Sequence, residues 1–180
     1  MNLTFQSERL LFTPLKEADV SAVHALHSFE DVAAFNTIGI PKDIAATHKV
    51  LARKINPDDK ENLGWGIRDR QQNFIGELGL ILAPPRFKKG EISYSIHPEH
   101  WGKGYATEAL YTGLHYAFNA LHLLRVEAGV AVHNKKSIRV LEKGRMKREG
   151  RHQKTLPLIS GWSDHFSYAI LSADFKQLKQ

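Results

Sequence analysis

The chain has 180 residues, 42% of them hydrophobic, no cysteine, and a formal charge of +6 from 25 Lys or Arg against 19 Asp or Glu. That length suits one compact domain with a sizeable core, and without a long uncharged apolar run no membrane span is expected. The lack of cysteine excludes disulfides, thiolate metal sites and a cysteine nucleophile. The first residues alternate polar and apolar side chains, unlike a secretory leader, so a cytoplasmic location is the expectation.

Residues 1–180 read as one α/β unit with no internal repeat and no linker. A strand from Leu3 to Leu15 leads into a helix near Glu17 to Phe29, and a second helix follows near Asp43 to Ile55, its ends marked by Pro41 and Pro57. Leu63 to Asp69 and Phe74 to Leu82 read as paired strands around the polar turn Arg70 to Asn73, and Pro84-Pro85 stops the second. A short β-like run, Glu91 to Ile96, comes next. Ala106, Ala109, Leu110, Gly113, Leu114, Ala117, Phe118 and Leu121 then recur at helical spacing, and Arg125 to Val132 reads as a strand. A helix from Asn134 and two extended segments, Met146 to His152 and His165 to Leu171, complete the sheet.

Between the Glu91 strand and the periodic helix stands Trp101-Gly102-Lys103-Gly104-Tyr105-Ala106. This is a helix N-terminus suited to phosphate. Two glycines let the backbone come close to a ligand, and the first helical N–H groups, lacking internal partners, point at an anion with the helix dipole behind them. The phosphate loop of nucleotide hydrolases is excluded, because no Lys followed by Ser or Thr comes after Gly-x-x-x-x-Gly. The dinucleotide fingerprint fails at its third glycine, where Thr107 stands, and its first glycine is separated from the strand by His97 to Trp101 instead of a tight turn.

The stretch from Glu91 to Glu108 resembles the acetyl-CoA motif of the GNAT N-acetyltransferases. Trp101 replaces the usual first Gln or Arg of the loop, a substitution typical of the RimJ/RimL-like branch. The opening run Ser7 to Leu15, the run Asn134 to Lys143 and Gly161-Trp162-Ser163-Asp164 agree as well, so the resemblance spans nearly the whole chain in order. It implies an α/β GNAT fold: a mostly antiparallel mixed sheet of about six to seven strands, splayed where acetyl-CoA inserts and flanked by about four helices. It also implies transfer of acetyl from acetyl-CoA to a primary amine, either the N-terminal α-amine of a protein such as a ribosomal protein, or a small amine.

What the resemblance implies for single residues follows from the reaction. The pantetheine arm of CoA pairs with the strand before the loop as if it were an added strand. That puts the backbone of Ile96 and His97 at the arm and thioester, and Trp101, Gly102, Lys103, Gly104, Tyr105 and Ala106 at the pyrophosphate. Asn134 either caps the helix it precedes or holds the arm. Acetyl transfer needs an uncharged nitrogen, a donor for the oxyanion and a proton for the departing thiolate. The family's usual tyrosine on this helix aligns with Leu141, so Ser137, as in RimL-like enzymes, is the expected donor or relay to sulfur; helix capping is its alternative role. Glu91 is the expected base, with Glu77 second. Glu108, in the first turn after the loop, is accounted for by the helix dipole. The family's leucine, glycine and phenylalanine after the Asn134 helix appear here as Gly144-Arg145-Met146, with the glycine shifted by one position.

Residues 135 to 154 hold nine Lys or Arg against Glu142 and Glu149. Such a segment is either a solvated basic face or an attraction for polyanions, such as the 3′-phosphate of CoA or RNA near the acceptor. No aromatic residues are interleaved with the charges, so base stacking gains no support and direct nucleic-acid binding is not expected. His97-Pro98-Glu99-His100 is the densest group of histidines, but Pro98 disfavours helical spacing and no second ligand cluster lies nearby; a turn, not a metal site, is expected. Two alternatives come from other classes: a catalytically silent acyl-CoA-binding or protein-interaction module, and a nucleic-acid-associated protein. Monomer and homodimer both stay open.

Overall fold

One mixed sheet of eight strands runs through the computed structural model, which describes residues 3–177 and the side chains of residues 3–175. The strands are β1 (Phe5–Gln6), β2 (Leu11–Pro14), β3 (Asn62–Arg68), β4 (Phe74–Leu82), β5 (Lys89–Ile96), β6 (Arg125–Ala131), β7 (Lys147–Leu158) and β8 (Gly161–Leu171). They lie in the order β1-β2-β3-β4-β5-β6-β8-β7, and only β5 and β6 are parallel neighbours. Six helices stand among the described residues: α1 (Val20–His27), α2 (Glu30–Ala33), α3 (Ile44–Ile55), α4 (Tyr105–Asn119), α5 (Lys135–Lys143) and α6 (Ser172–Gln177). The mostly antiparallel α/β arrangement is the one expected, with more strands and helices than the resemblance implied.

Three boundaries differ from the sequence reading. The expected strand Leu3 to Leu15 is broken by a turn in which Ser7 N–H donates to Leu10 O at 2.9 Å. The expected helix Glu17 to Phe29 starts as a 3₁₀ turn, Glu17–Asp19, and ends at His27, with Phe29 extended at φ −71° and ψ 125°. The last two strands run on past His152 and begin before His165, forming one long hairpin.

The core follows from the α4 periodicity. Leu110 and Leu114 are completely buried against the sheet, each contributing roughly 1.5–3 kcal/mol of transfer free energy. Gly113 lets the helix come close, since a β-carbon there would stand 2.9 Å from Ile92 Cδ1 and 3.0 Å from Leu78 Cδ2. α1 and α3 cover the opposite face over β3 and β4, where Leu15, Val20, Val23 and Leu51 form a second cluster. On that same face, Glu91 and Ser93 of β5 and Gly129 of β6 are exposed.

β5 and β6 pair only through Lys89↔Arg125, Gly90↔Val126 and Glu91↔Glu127, and then part. Charged groups hold the closed end. Lys89 Nζ lies 3.3 Å from Glu127 Oε2, Arg125 Nε donates to Glu127 Oε1 at 2.8 Å, and Arg125 also forks onto Glu149 of β7. These hydrogen bonds to Glu149 and Glu127 raise the already high pKa of Arg125, keeping the network charged.

The shifted glycine after α5 has a physical explanation. Met146 N–H donates to Leu141 O at 3.1 Å and Arg145 N–H to Glu142 O at 3.0 Å, which closes the helix in a Schellman turn. The left-handed position of that turn is Arg145, at φ +59°, whereas Gly144 has an ordinary φ of −70°. Gly144 is needed for space, because a β-carbon there would meet Leu110 Cδ2 at 2.6 Å. Arg145 therefore carries the cost of a side chain in the left-handed region, about 1–2 kcal/mol, partly offset by the lower chain entropy of a non-glycine residue. Arg145→Gly should stabilise the protein by about 1 kcal/mol and raise the Tm by about 2–4 °C. Calorimetric melting checks this, and an unchanged or lower Tm would contradict it.

Candidate active site

The glycine loop stands at the mouth of the splay. Gly102 and Gly104 take φ of +75° and +83°, in the region glycine adopts without strain, and a β-carbon at Gly102 would touch nothing within 4 Å. The first helical bond of α4 runs from Glu108 N–H to Gly104 O at 3.1 Å. That leaves the N–H groups of Tyr105, Ala106 and Thr107 without an acceptor in the helix, and no side chain caps them. Lys103 is exposed within the loop, and Lys136 from α5 lies 3.9 Å above the Trp101 ring. This end of the molecule can receive an anion.

A clamp that the sequence reading missed holds the loop. Glu108 Oε1 accepts from Ser7 Oγ at 2.6 Å and from Arg9 N–H at 2.9 Å, and Glu108 Oε2 accepts from Arg9 Nε at 2.6 Å. The Arg9 guanidinium also donates to Lys103 O at 3.0 Å and lies 4.6 Å from the Tyr105 ring centre. Partial burial pushes the Glu108 carboxyl up, but Ser7 and Arg9 outweigh it and hold the group below the usual carboxylate range. Glu108 thus ties the turn between β1 and β2 to the loop, beyond complementing a helix dipole. Only the presence of Arg9 in the opening segment hinted at this.

Along the open edge of β5 the backbone groups can be assigned by alternation. His97 N–H donates to Ile75 O on β4 at 2.8 Å. Antiparallel bonding alternates, so Ser95 also turns toward β4, whereas Tyr94 and Ile96 turn their N–H and C=O groups toward the gap. The Ile96 carbonyl there accepts from Trp101 Nε1 at 2.7 Å. The His97 ring instead accepts from Glu99 N–H at 3.4 Å and packs edge-on against Phe29. Of the two backbone positions expected at the arm, Ile96 is turned to the gap, with its carbonyl bonded to Trp101, and the His97 N–H is bonded to β4.

Across the gap, α5 begins with Asn134, whose Oδ1 accepts from Ser137 N–H at 3.0 Å. Capping therefore falls to Asn134, and the Ser137 hydroxyl is turned to Tyr94, with Oγ 3.0 Å from the phenol oxygen. Burial pushes the Tyr94 phenol up to about 12, against a smaller opposing effect of its bond to Ser137. Tyr94 had no distinguishing signal in the sequence, since a lone tyrosine in a strand reads as core.

The two candidate bases occupy different settings. Glu77 is buried on β4 opposite Ser95; its Oε1 lies 2.7 Å from His27 Nε2, and Lys54 Nζ lies 3.7 Å from its Oε2, which has no hydrogen-bond partner. Glu91 is exposed on β5 in the closed end of the splay, about 13 Å along the strand from Ser95 at some 3.3 Å per residue. Among the described residues no group of three or more His, Cys, Asp or Glu is placed to share a metal ion, and His97 to His100 form a short 3₁₀ turn.

Burial pushes the Glu77 carboxyl up, yet Lys54 and His27 together hold it down to about 2, against an ordinary 4.5. A folded value below the unfolded one stabilises the fold above pH 4.5, and that stabilisation is lost as pH falls through 2. Glu77→Gln should therefore cost about 3 kcal/mol at pH 7, as expected when one member of a buried ion pair is removed. In urea unfolding, the gap to wild type should shrink as pH falls from 4.5 toward 2. A gap independent of pH would contradict the assignment.

Comparison with known proteins accords with this geometry. The family profile described as acetyltransferase (GNAT) domain matches residues 9–147. The uncharacterized N-acetyltransferase YoaA of Bacillus subtilis is 30% identical over 150 residues, which cover 81% of this chain and 83% of YoaA. The [ribosomal protein uS5]-alanine N-acetyltransferase of Escherichia coli is 31% identical over 120 residues, 67% of this chain and 56% of that enzyme. Spermidine N-acetyltransferase from Vibrio cholerae, solved in complex with CoA and spermine, shares the fold at a TM-score of 0.85 and 22% identity, with 94% of this chain and 99% of that chain covered. The chain thus belongs to the GNAT family and is an acetyl-CoA-dependent N-acetyltransferase.

Proposed function

We propose that this enzyme acetylates the N-terminal α-amine of a polypeptide, in the manner of the RimJ/RimL-like branch. The rim of the acceptor face carries this reading. Ile159 and Trp162, at the tip of the β7–β8 hairpin, are 61% and 67% exposed, and Phe35, Ile38 and Ile40 are exposed on the segment after α2. A β-carbon on Gly39 would stand 3.6 Å from Ile159 Cγ1, so the segment and the hairpin tip meet across the face. An apolar rim accommodates the first side chains of a peptide, whereas a polyamine needs carboxylates spaced along its length. The likeness to the ribosomal-protein alanine enzyme supports the same reading, and the spermidine enzyme keeps a small amine as the second.

On this proposal the N–H groups from Gly102 to Ala106 receive the pyrophosphate of acetyl-CoA, with Trp101, Lys103 and Lys136 beside it, and the pantetheine arm pairs with Tyr94 and Ile96 along the open edge of β5. Asn134 sets the start of α5 so that the Ser137 hydroxyl donates to the departing sulfur. The Tyr94 phenol, held at about 12, keeps its proton against a thiol that ordinarily titrates at about 8.5, and donates a hydrogen bond to Ser137. Glu91 supplies negative charge on the acceptor face.

An α-amine, with a pKa of about 8, costs roughly 3 kcal/mol less to present uncharged at neutral pH than a lysine at about 10.4. With acetyl-CoA, a peptide bearing a free N-terminal alanine and an internal lysine should react faster than the same peptide with a blocked N-terminus, and faster than spermidine. Equal rates for the free and blocked peptides would overturn the acceptor assignment. Ser137→Ala and Tyr94→Phe should each lower kcat by about 10- to 100-fold, the loss expected for a hydrogen bond to a charged group, with little change in acetyl-CoA affinity. Together they should lose less than the product of the two, since one hydroxyl acts through the other. Intact kcat in either variant would remove this pair from the chemistry.

A further inference from the structure

We propose that His165 is the base that takes the proton from the acceptor ammonium, with Thr155 and Glu91 as its positioning residues; this rests on the acetyl-transfer reading above. Three observations carry it. The first is level. β5 and β6 are in register at Glu91↔Glu127, so four residues further on Ser95 stands level with Ala131 across the gap. Ala131 pairs with His165 on β8, and Ser95 with Glu77 on β4. His165 therefore lies one strand beyond the gap, at the height where the Tyr94 and Ile96 backbone faces it, and on the sheet face opposite α4.

The second is convergence. A β-carbon built on Gly129 would stand 3.6 Å from His165 Cδ2 and 3.9 Å from Glu91 Oε1. The imidazole and the carboxylate thus lean toward each other over a glycine that leaves the space between them unfilled, and Gly129 is exposed. Glu91 starts in the closed end of the splay, but its charge is delivered to this point.

The third is the device that orients the ring. Between His152↔His165 and Leu156↔Ser163 the hairpin advances four residues on β7 and two on β8. Asp164 pins the resulting bulge, accepting from Arg151 Nε at 2.8 Å and from Lys154 N–H at 2.9 Å, while Lys154 takes a left-handed φ of +47°. The bulge presents Thr155, whose Oγ1 lies 2.6 Å from His165 Nδ1 and whose hydroxyl hydrogen is directed to His152 O at 3.5 Å. Bulges next to active sites commonly re-aim a side chain in this way. With Thr155 accepting, Nδ1 carries the ring proton and Nε2 is left with its lone pair.

The groups facing His165 are His152 and Thr155 of β7, Ser167 of β8 and Glu91 of β5. The His152 ring stacks on it at 4.5 Å and bonds Ser167 Oγ at 3.1 Å. Partial burial and His152 push the His165 imidazole below the usual histidine range, with Glu91 pulling the other way, which favours the unprotonated form a base needs. Glu77, at the same height, is already spoken for by His27 and Lys54.

The step balances. Nε2 takes one proton from R–NH₃⁺, the freed nitrogen lone pair forms the C–N bond at the thioester carbonyl, and the C–S bond breaks with its electron pair on sulfur. The second nitrogen proton, lost as the amide forms, matches the one the thiolate takes up, and His165 returns its own to solvent.

The test combines ¹⁵N NMR of the imidazoles in the CoA-bound protein with kcat/KM against pH, using the free N-terminal alanine peptide and spermidine as acceptors. His165 should be neutral at pH 7 with the proton on Nδ1. The acid limb of the profile should fall where His165 titrates, below about 6.5. His165→Gln should abolish that limb and lower kcat by about 10²- to 10⁴-fold, the range for general base catalysis, with acetyl-CoA affinity retained. Thr155→Val should shift the proton between the two nitrogens and lower kcat by less, which guards against a His165 variant that misfolds. An imidazolium at pH 7, an Nε2–H tautomer, or an acid limb that persists in His165→Gln would overturn the proposal. Absence of wild-type turnover with both amines would count against the acetyl-transfer reading instead, while the tautomer still decides the role of His165.

Discussion

The structure depends on the parting of β5 and β6. Two neighbouring strands inside a sheet normally satisfy each other's N–H and C=O groups, and leaving such groups unpaired costs free energy comparable to a lost hydrogen bond for each. Here the ladder stops after Glu91↔Glu127, with the Tyr94 and Ile96 backbone turned to the gap. We propose that an extended chain with amides of its own, the arm of acetyl-CoA, pairs with the groups left open there. The ions at the closed end, Lys89, Arg125, Glu127 and Glu149, stop the gap from propagating, and α4 crosses from one strand to the other with its glycine loop at the open mouth.

With the roles proposed above, the gap also divides the chemistry between two faces. On the α4 side stand Tyr94 and Ser137, mostly buried, where a hydroxyl hydrogen bond to a developing thiolate is stronger than it would be in water. On the other side lie Glu91, Gly129 and His165, partly open to solvent, where an incoming ammonium can be received and its proton passed on. In that reading the proton donor to the thiolate and the base for the ammonium stand on opposite faces of the sheet. The Arg9–Glu108 clamp adds to this by fixing the anion loop before any ligand arrives, which reduces the ordering that binding would otherwise require.

Much of this was legible in the sequence where one physical signal dominated. α4 has a strict apolar stripe, and β3 and β4 are bounded by clear turn residues, so their limits came within a few positions. The anion loop was readable because Gly102 and Gly104 precede that stripe. Other features depend on partners distant in sequence. The turn Ser7 to Leu10 breaks an otherwise strand-like run, and it makes sense only beside Glu108. β7 is exposed over most of its length, so it shows no alternation, and its bulges, including the one that presents Thr155, are invisible without β8. α6 is a single short helix after a strand, too brief for a periodic pattern. Arg145 in the left-handed position of a Schellman turn is the reverse case: a glycine was sought there, and the turn forms without it.

The central claim, that the open edge of β5 is completed by the arm of the co-substrate, is tested most directly by residue-resolved amide hydrogen exchange with and without CoA. The amides of Tyr94 and Ile96, and those from Gly102 to Thr107 in the loop, should exchange markedly more slowly when CoA is bound. The amide of His97, already bonded to Ile75, should change little. Slowing confined to the loop, with Tyr94 and Ile96 unaffected, would contradict this account of the splay.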